Sequence, residues 1–591
     1  MTKPFFAYRS FWKEFDAMKR FADLGVREFC VFAGNSTNSM GEPYSQYAPV
    51  WLWYDAYDFS SLDEQIGDVL KICPEAKILC LIDLNSPLWL ARQLQIDSYS
   101  ELSGALSMPE WRRETEKFVK AFVEYTEKKF GNVIECYILM CGKTDEWMDV
   151  SKGAEKSHTF ETYEAWCRKE GLPLPEDVPS FKARRQGIPV TGNCIFRNPE
   201  TQMNVIRYIR FLSALVAESI AGFSQLVREN VSADKKIGVF YGYQLQLAEH
   251  SAALGHAAYR KVAALPSVDF FISPGQYWDR AMGGASGFMT PNGTLHLFHK
   301  ECLYEIDHRT TTSNMQLTKF VSLKWSDRWK SKSEDIAGLR REFCRTLFHG
   351  SHLWWFDMWG GFFNEPHQME TIRQCFDLWQ RYGDTKAQPD AEIALIVDPE
   401  SSCFFPDRGV NERLYHVQYS LARIGAPFRV YTLEDLSRLP EKIKLLVFAS
   451  TAVITPEIKN VLESKIFPEK RCIWCGPCGI SDGEKMIRLS LPGVRIEDPN
   501  DVPPRILRTE AEKADVFLFT DRELPVWYGR DLLMLHSAAE QDLAIRVPED
   551  TKSVRELFSG TEYAVKEKTF HYHFSAPETV LFQLFPDREQ K

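Results

Sequence analysis

Eight short apolar runs, each followed by a longer amphipathic stretch, recur from the N-terminus to about residue 380, and this alternation constrains the fold most tightly. The runs fall at 4–8, 28–33, 77–83, 134–141, 236–241, 268–272, 302–306 and 352–357. Helical patterns lie between them at 12–24, 61–73, 109–130, 201–230 and 334–349, the first ended by Gly25. Strand–helix alternation of this kind specifies parallel βα units. Eight such units close into a (β/α)8 barrel, whose functional side chains sit on the loops at the carboxyl ends of the strands. The spacing predicts that barrel over residues 1–385. The stretch 142–200 is longer than an ordinary connection and rich in charge and Pro, and is expected to cap the barrel mouth.

After the linker at 384–392 the pattern restarts with AEIALIVD, FRVYTLEDL, KLLVFAS and RCIWCGPCG, separated by short helical stretches. This predicts a Rossmann-like, amidotransferase-type α/β domain over 390–500. It carries no persuasive nucleophile elbow with a His partner, so it reads as an assembly element. Shorter β-rich runs such as ADVFLFTD, DLAIRVPE and TVLFQLFP then predict a small β-sandwich over 501–591. At 591 residues the chain is too long for a single core, which agrees with three units.

A formal net charge of −10 offers no basic surface to a nucleic-acid backbone. No apolar run reaches the roughly 18 residues that span a bilayer, and the N-terminus lacks the apolar core of a signal peptide. The expected compartment is the cytoplasm. The 14 cysteines are scattered, many inside apolar runs, as in a reducing environment. Cys472, Cys475 and Cys478 have C-x2-C-x2-C spacing but no fourth ligand nearby in sequence, so they read as a buried strand entering a Gly-Pro turn. Neither a metal nor a cofactor is expected.

Candidate chemistry comes from the strand ends. The fourth run, IECYILMC, is followed by GKTDEWMD, which puts Lys143, Asp145 and Glu146 just past its end. The seventh, CLYEID, puts Glu305 near its end and Asp307 beyond. Strands four and seven of an eight-stranded barrel lie across from one another, so Glu146 and Glu305 face each other over the central pit. Opposed carboxylates are what glycoside hydrolysis requires, one to protonate the leaving oxygen and one to attack the anomeric carbon or activate water. Glu301, four residues before Glu305, lies about 13 Å further down the axis and reads as a structural acid.

Strand four ending in an acid-Glu-Trp motif and strand seven ending in Glu resemble the clan A glycoside hydrolases. The order of a barrel, an amidotransferase-like domain and a small β domain is similar to glycoside hydrolase family 42, the β-galactosidases whose middle domain mediates trimers. The resemblance implies a retaining β-glycosidase acting on a carbohydrate substrate, with Glu146 as acid/base and Glu305 as nucleophile, assembled as a homotrimer. The clan's usual Asn before the acid/base is Asp145 here, and a second charge at that position would raise the pKa of Glu146. The barrel also lacks the cysteine cluster that binds zinc in some family members.

Substrate-holding candidates follow from the same geometry. Arg9 ends the first strand, Asn85 follows the third, Tyr241 and Tyr243 end the fifth, and Gln276, Tyr277 and Trp278 follow the sixth. Asp307 could pair with Arg309 or hold a sugar hydroxyl. The eighth run, HLWWFDMWGGFF, brings Asp357 and Trp359 towards the mouth, and Gly360-Gly361 allows a tight turn. An indole such as Trp359 can stack on the C–H face of a sugar.

Overall fold

The structure is a computed structural model and describes residues 3–36, 43–151, 157–245, 254–313, 328–406 and 409–587. Eight parallel strands form the closed barrel: β1 (Phe6–Ser10), β2 (Glu28–Ala33), β3 (Lys77–Asp83), β4 (Ile134–Met140), β5 (Lys236–Phe240), β6 (Phe270–Pro274), β7 (Glu301–Ile306) and β8 (His352–Asp357). They pair in chain order, and β8 closes on β1 with Ala7 opposite Trp354 and Arg9 opposite Phe356.

Alternate residues of each strand fill the interior, among them Ala7, Phe32, Leu81, Ile138, Leu303 and Phe356. The other set, including Tyr8, Val31, Tyr137 and Trp355, packs outward under the helices. This two-residue period fixes which side chains can reach the pit. Strands one and six begin two residues later than their apolar runs. Pro4 has no N–H to give a ladder, and the Phe5 N–H goes to His352 Nδ1 at 2.7 Å. Val268 belongs to the preceding turn, its N–H directed at the Leu265 carbonyl at 3.4 Å.

The second unit is a parallel sheet of β9 (Ile393–Val397), β10 (Phe428–Thr432), β11 (Leu445–Ala449), β12 (Arg471–Cys475) and β13 (Val494–Ile496), in the order β10-β9-β11-β12-β13. From Val526 to Pro586 the strands are antiparallel, in a five-stranded and a two-stranded sheet. The strand Glu578–Pro586 lies on the barrel helix Lys332–Phe348, where the Thr579 hydroxyl donates to the Ala337 carbonyl at 2.6 Å.

The second unit also reaches the barrel mouth. Arg423 forms a buried ion pair with Asp279 at 2.7 Å, the Tyr415 hydroxyl donates to the Trp278 carbonyl at 2.7 Å, and Gln276 donates to Gln418. All three contacts seize the loop after β6. The expected cap at 142–200 lies partly outside the described residues. Its described part packs the helix Ser157–Lys169 on Pro199–Asn230 and stacks Phe196 on Phe404 of the second unit, 5.5 Å between centroids.

Candidate active site

β7 carries an acid at each end of its inward face. At the floor, Glu301 is held by Lys236 and by His352 Nε2 at 2.8 Å. His352 Nδ1 already accepts the Phe5 N–H, so its proton sits on Nε2 and is donated to Glu301. Burial pushes Glu301 up, but the His352 and Lys236 donors outweigh it and bring the carboxyl down to about 2. It is a structural anion at the closed end.

At the mouth, Glu305 shares Leu303's parity and points into the pit. Its Oε2 accepts Arg9 Nη1–H at 2.7 Å and Trp354 Nε1–H at 2.9 Å. Arg9 is buried between aromatic faces, 4.2 Å from the Phe356 ring centre and 4.7 Å from that of Trp354. That cage fixes the guanidinium and, through it, the carboxylate. Both donors take the same oxygen, which leaves Oε1 to a ligand.

Opposite, the loop after β4 is tightly compressed. Gly142, Thr144, Asp145 and Trp147 have φ of 74°, 55°, 62° and 56°. For a β-branched Thr and a Trp this is a rare, strained region, costing about 1–3 kcal/mol each. Trp147 anchors the turn: it is fully buried, its N–H donates to the Cys141 carbonyl at 2.6 Å and its indole N–H to the Leu139 carbonyl at 2.9 Å. The coil delivers Glu146 half-buried to the mouth, where Tyr243 donates to Oε1 at 2.8 Å and Thr144 to Oε2. His256 supports the same residue from behind, Nε2 lying 3.0 Å from the Glu146 carbonyl. Burial lowers His256 to about 4, so it is a neutral donor there.

Asp145 behaves differently from its sequence expectation. It is fully buried, with Oδ1 accepting from Asn85 at 2.5 Å, and its other oxygen meets no N–H or hydroxyl donor. Asp145 lies within hydrogen-bonding reach of Asp83, and a hydrogen bond between two carboxyls needs a proton on one of them. Asp83 accepts from the Asn35 N–H, the Ser36 N–H, the Ser36 hydroxyl and the Asn85 N–H at 2.7 to 2.9 Å, so the charge rests on Asp83. Burial, then the Asp83 charge, hold the Asp145 carboxyl well above its ordinary range. It is a neutral acid in an Asn position. The raised pKa of Glu146 comes from elsewhere.

Glu146 is pushed up, first by burial, with Asp307 adding to it against the Thr144 and Tyr243 hydroxyls. Glu305 is pushed up by burial, opposed by Arg9 and reinforced by Asp307 and Glu146. Groups whose charges act on one another titrate as a pair that shares protons. The partners decide which one keeps the charge. A guanidinium and an indole N–H can only donate, so they bind the anionic form of Glu305. The partners of Glu146 are hydroxyls, which donate to a carboxylate or accept from a carboxylic acid equally well. With one proton between them, it belongs on Glu146.

The remaining expected residues divide. Tyr277, Trp278 and Arg309 line a cavity of about 550 Å³ beside the pair. Trp359 lies next to it, its ring 5.6 Å from the Arg309 guanidinium. Asp307 pairs with Arg280 at 2.6 Å, and Lys143 places its ammonium 4.4 Å from the Tyr99 ring centre. Tyr241 points away from the pit, its hydroxyl on the Gly255 carbonyl at 2.9 Å. Asp357 also turns outward, accepting from Tyr8 and from the Phe362 N–H at 3.1 Å each, where it pins the Gly360-Gly361 turn. Asn85 spends its amide on Asp145 and the Gly142 backbone. Asp83, Trp354, His256 and Arg280 at the site are not among the expected residues. Parity with Leu79 and Leu81 could have found Asp83, and parity with Phe356 could have found Trp354. The other two come from loops. Among the described residues no three His, Cys, Asp or Glu side chains cluster as metal ligands, and no helix is long and apolar enough to cross a membrane.

No protein-family model and no curated protein matches this sequence. Solved structures do match it. A β-galactosidase from Bacillus circulans sp. alkalophilus aligns with a TM-score of 0.67 at 11% identity, covering 99% of each chain. A catalytic mutant of a family 42 β-galactosidase from G. stearothermophilus gives 0.66 at 11% identity, again over 99% of each chain. An exo-carrageenase of family 42 from Bacteroides ovatus gives 0.61 at 12% identity, over 98% of this chain and 82% of that one. The family 42 glycoside hydrolase fold thus covers 98–99% of this chain at 11–12% identity.

Proposed function

We propose that this chain is a retaining, exo-acting β-glycosidase that removes a terminal sugar from small oligosaccharides or glycosides. The observation that carries the reading is the unequal partnering of the two carboxyls, donors only around Glu305 and hydroxyls around Glu146. Glu305 Oε1 attacks the anomeric carbon while Glu146 gives its proton to the departing glycosidic oxygen. In the second step Glu146 takes a proton from water, the water oxygen bonds to the anomeric carbon, and the Glu305 ester bond breaks to restore the carboxylate. The neutral Asp145, bonded through Asn85 to the Gly142 backbone, holds the acid-bearing loop in place.

The fold neighbours named for β-galactosides make that glycone the first candidate, with an arabinopyranoside, a fucoside or a uronic-acid unit as alternatives. A panel of nitrophenyl glycosides tests the activity. Glu305→Gln is expected to bring turnover to near background with the fold and sugar binding intact. Near wild-type turnover in Glu305→Gln, with loss in Glu301→Gln, would overturn the assignment. Binding without turnover of any glycoside would leave a silent sugar-binding protein instead. The same reading carries a cytoplasmic homotrimer assembled through the second unit. Light scattering is expected to give the mass of three chains, and a monomer at high concentration would remove that part.

A further inference from the structure

The cavity beside the acid pair opens between the loops after β6 and β7 and the helix Gly409–Leu421 of the second unit. It neighbours the acid pair: Arg280 in its wall pairs with Asp307, two residues past Glu305. Its charged lining is one-sided. Among the described residues, Arg280, Arg309, Arg328 and Lys330 line it with one carboxylate, Glu334, on a chain with ten more acids than bases. Asp307 offsets Arg280 at 2.6 Å. Glu334 takes the Lys330 backbone N–H at 2.6 Å, and the Lys330 ammonium makes no ion pair among the described residues. Arg328 likewise makes none there, and both side chains are exposed. Among the described residues the cations of this wall therefore outnumber the carboxylates that face them.

Aromatic rings share the same walls, with Tyr277, Trp278, Trp329 and Tyr415 among the lining. Flat rings take the C–H face of a sugar, and guanidinium forks take a planar or tetrahedral oxyanion. The two together suit a sugar that carries its own negative charge better than they suit a free inorganic ion. Arg309 ties the cavity to the chemistry, since it lines the cavity and follows Glu305 by four residues on the loop that leaves the same strand.

We propose that this cavity is a subsite for an anionic substituent, a carboxylate or a sulfate, on the sugar chain being cut, so that the preferred substrates are acidic glycans. The proposal rests on the glycosidase reading of the acid pair. It is tested by titration calorimetry on full-length Glu305→Gln protein with three matched probes: methyl β-galactoside, the corresponding methyl galacturonide and the corresponding 6-sulfate. At least one anionic probe is expected to bind about tenfold or more tighter than the neutral one, the ratio that a single charge-assisted hydrogen bond supports. The advantage should shrink when ionic strength rises from about 0.05 to about 0.5 M. It should disappear in the Arg309→Gln, Arg328→Gln double variant. The carboxylate and sulfate arms identify which anion is meant. Affinity for both anionic probes no better than for the neutral one, including no binding by any probe, overturns the proposal. The wild-type kcat/KM ratio for acidic against neutral nitrophenyl glycosides makes the same discrimination without relying on the variant. Turnover of neutral glycosides with no anionic preference would remove the subsite and leave the acid pair standing. Anion-selective binding with no turnover of any glycoside would do the reverse.

Discussion

Asp145 and Asp83 make a carboxyl pair with one proton, and that pair separates charge from shape at the position before the acid. If Asp145 is neutral, Asp145→Asn exchanges one uncharged planar group for another. The alkaline limb of the kcat/KM–pH profile, which reports the ionisation of Glu146 in the free enzyme, is then expected to stay where it is. A limb that moves to lower pH in Asp145→Asn would mean that Asp145 carries a charge after all and holds Glu146 protonated. Parity explains which residues could be read without a structure. Arg9 and Glu305 alternate with Ala7 and Leu303 and face the pit, whereas Tyr241 and Asp357 alternate with the outward set, despite lying beside the same strand ends. Counting from the interior residues, rather than to the end of the apolar run, would have sorted them. The proton on Asp145 was not legible, because it depends on which donors surround Asp83, and three of the four come from Asn35 and Ser36, 47–48 residues earlier.

At the scale of elements, the site is held by a strained loop on one side and by a borrowed wall on the other. GKTDEW has the sequence of an ordinary strand-to-helix turn, and only its backbone angles reveal four left-handed residues around the acid. Trp147, the feature that made the motif recognisable, is the anchor that keeps this coil closed. The wall is the loop after β6, clamped by Gln418, Tyr415 and Arg423 from the second unit. Arg423 and Asp279 are both buried, and removing one partner of such a pair costs about 3–5 kcal/mol. Arg423→Ala is therefore expected to loosen the segment carrying Tyr277 and Trp278, raising KM for a glycoside several-fold while kcat falls less. An unchanged KM would show that this clamp does not shape the binding face. Nothing in the sequence joins residue 423 to residue 279, since each reads locally as a surface charge. Apolar periodicity predicts elements but not which loops of two distant units meet.

Over the whole molecule, the barrel was legible because each of its eight strands is apolar on both faces and each is separated from the next by a helical pattern. All eight appear, three of them with the bounds their apolar runs predict. The parallel second sheet and the antiparallel C-terminal sheets follow the same logic of composition. Their packing into one working mouth was not legible, because it rests on single polar contacts between units. The proposed catalysis at that mouth depends on a division of labour, with the charge on Glu305 and the proton on Glu146. The most direct test is Glu146→Ala with azide present. Without its acid the variant should lose turnover on unactivated glycosides far more than on nitrophenyl ones, whose leaving groups depart without a proton. Azide should then enter the space left by the side chain, attack the glycosyl-enzyme and restore the second step, giving a β-glycosyl azide detectable by NMR. Equal loss on both substrate types with no azide product would contradict the assignment of Glu146 as acid/base.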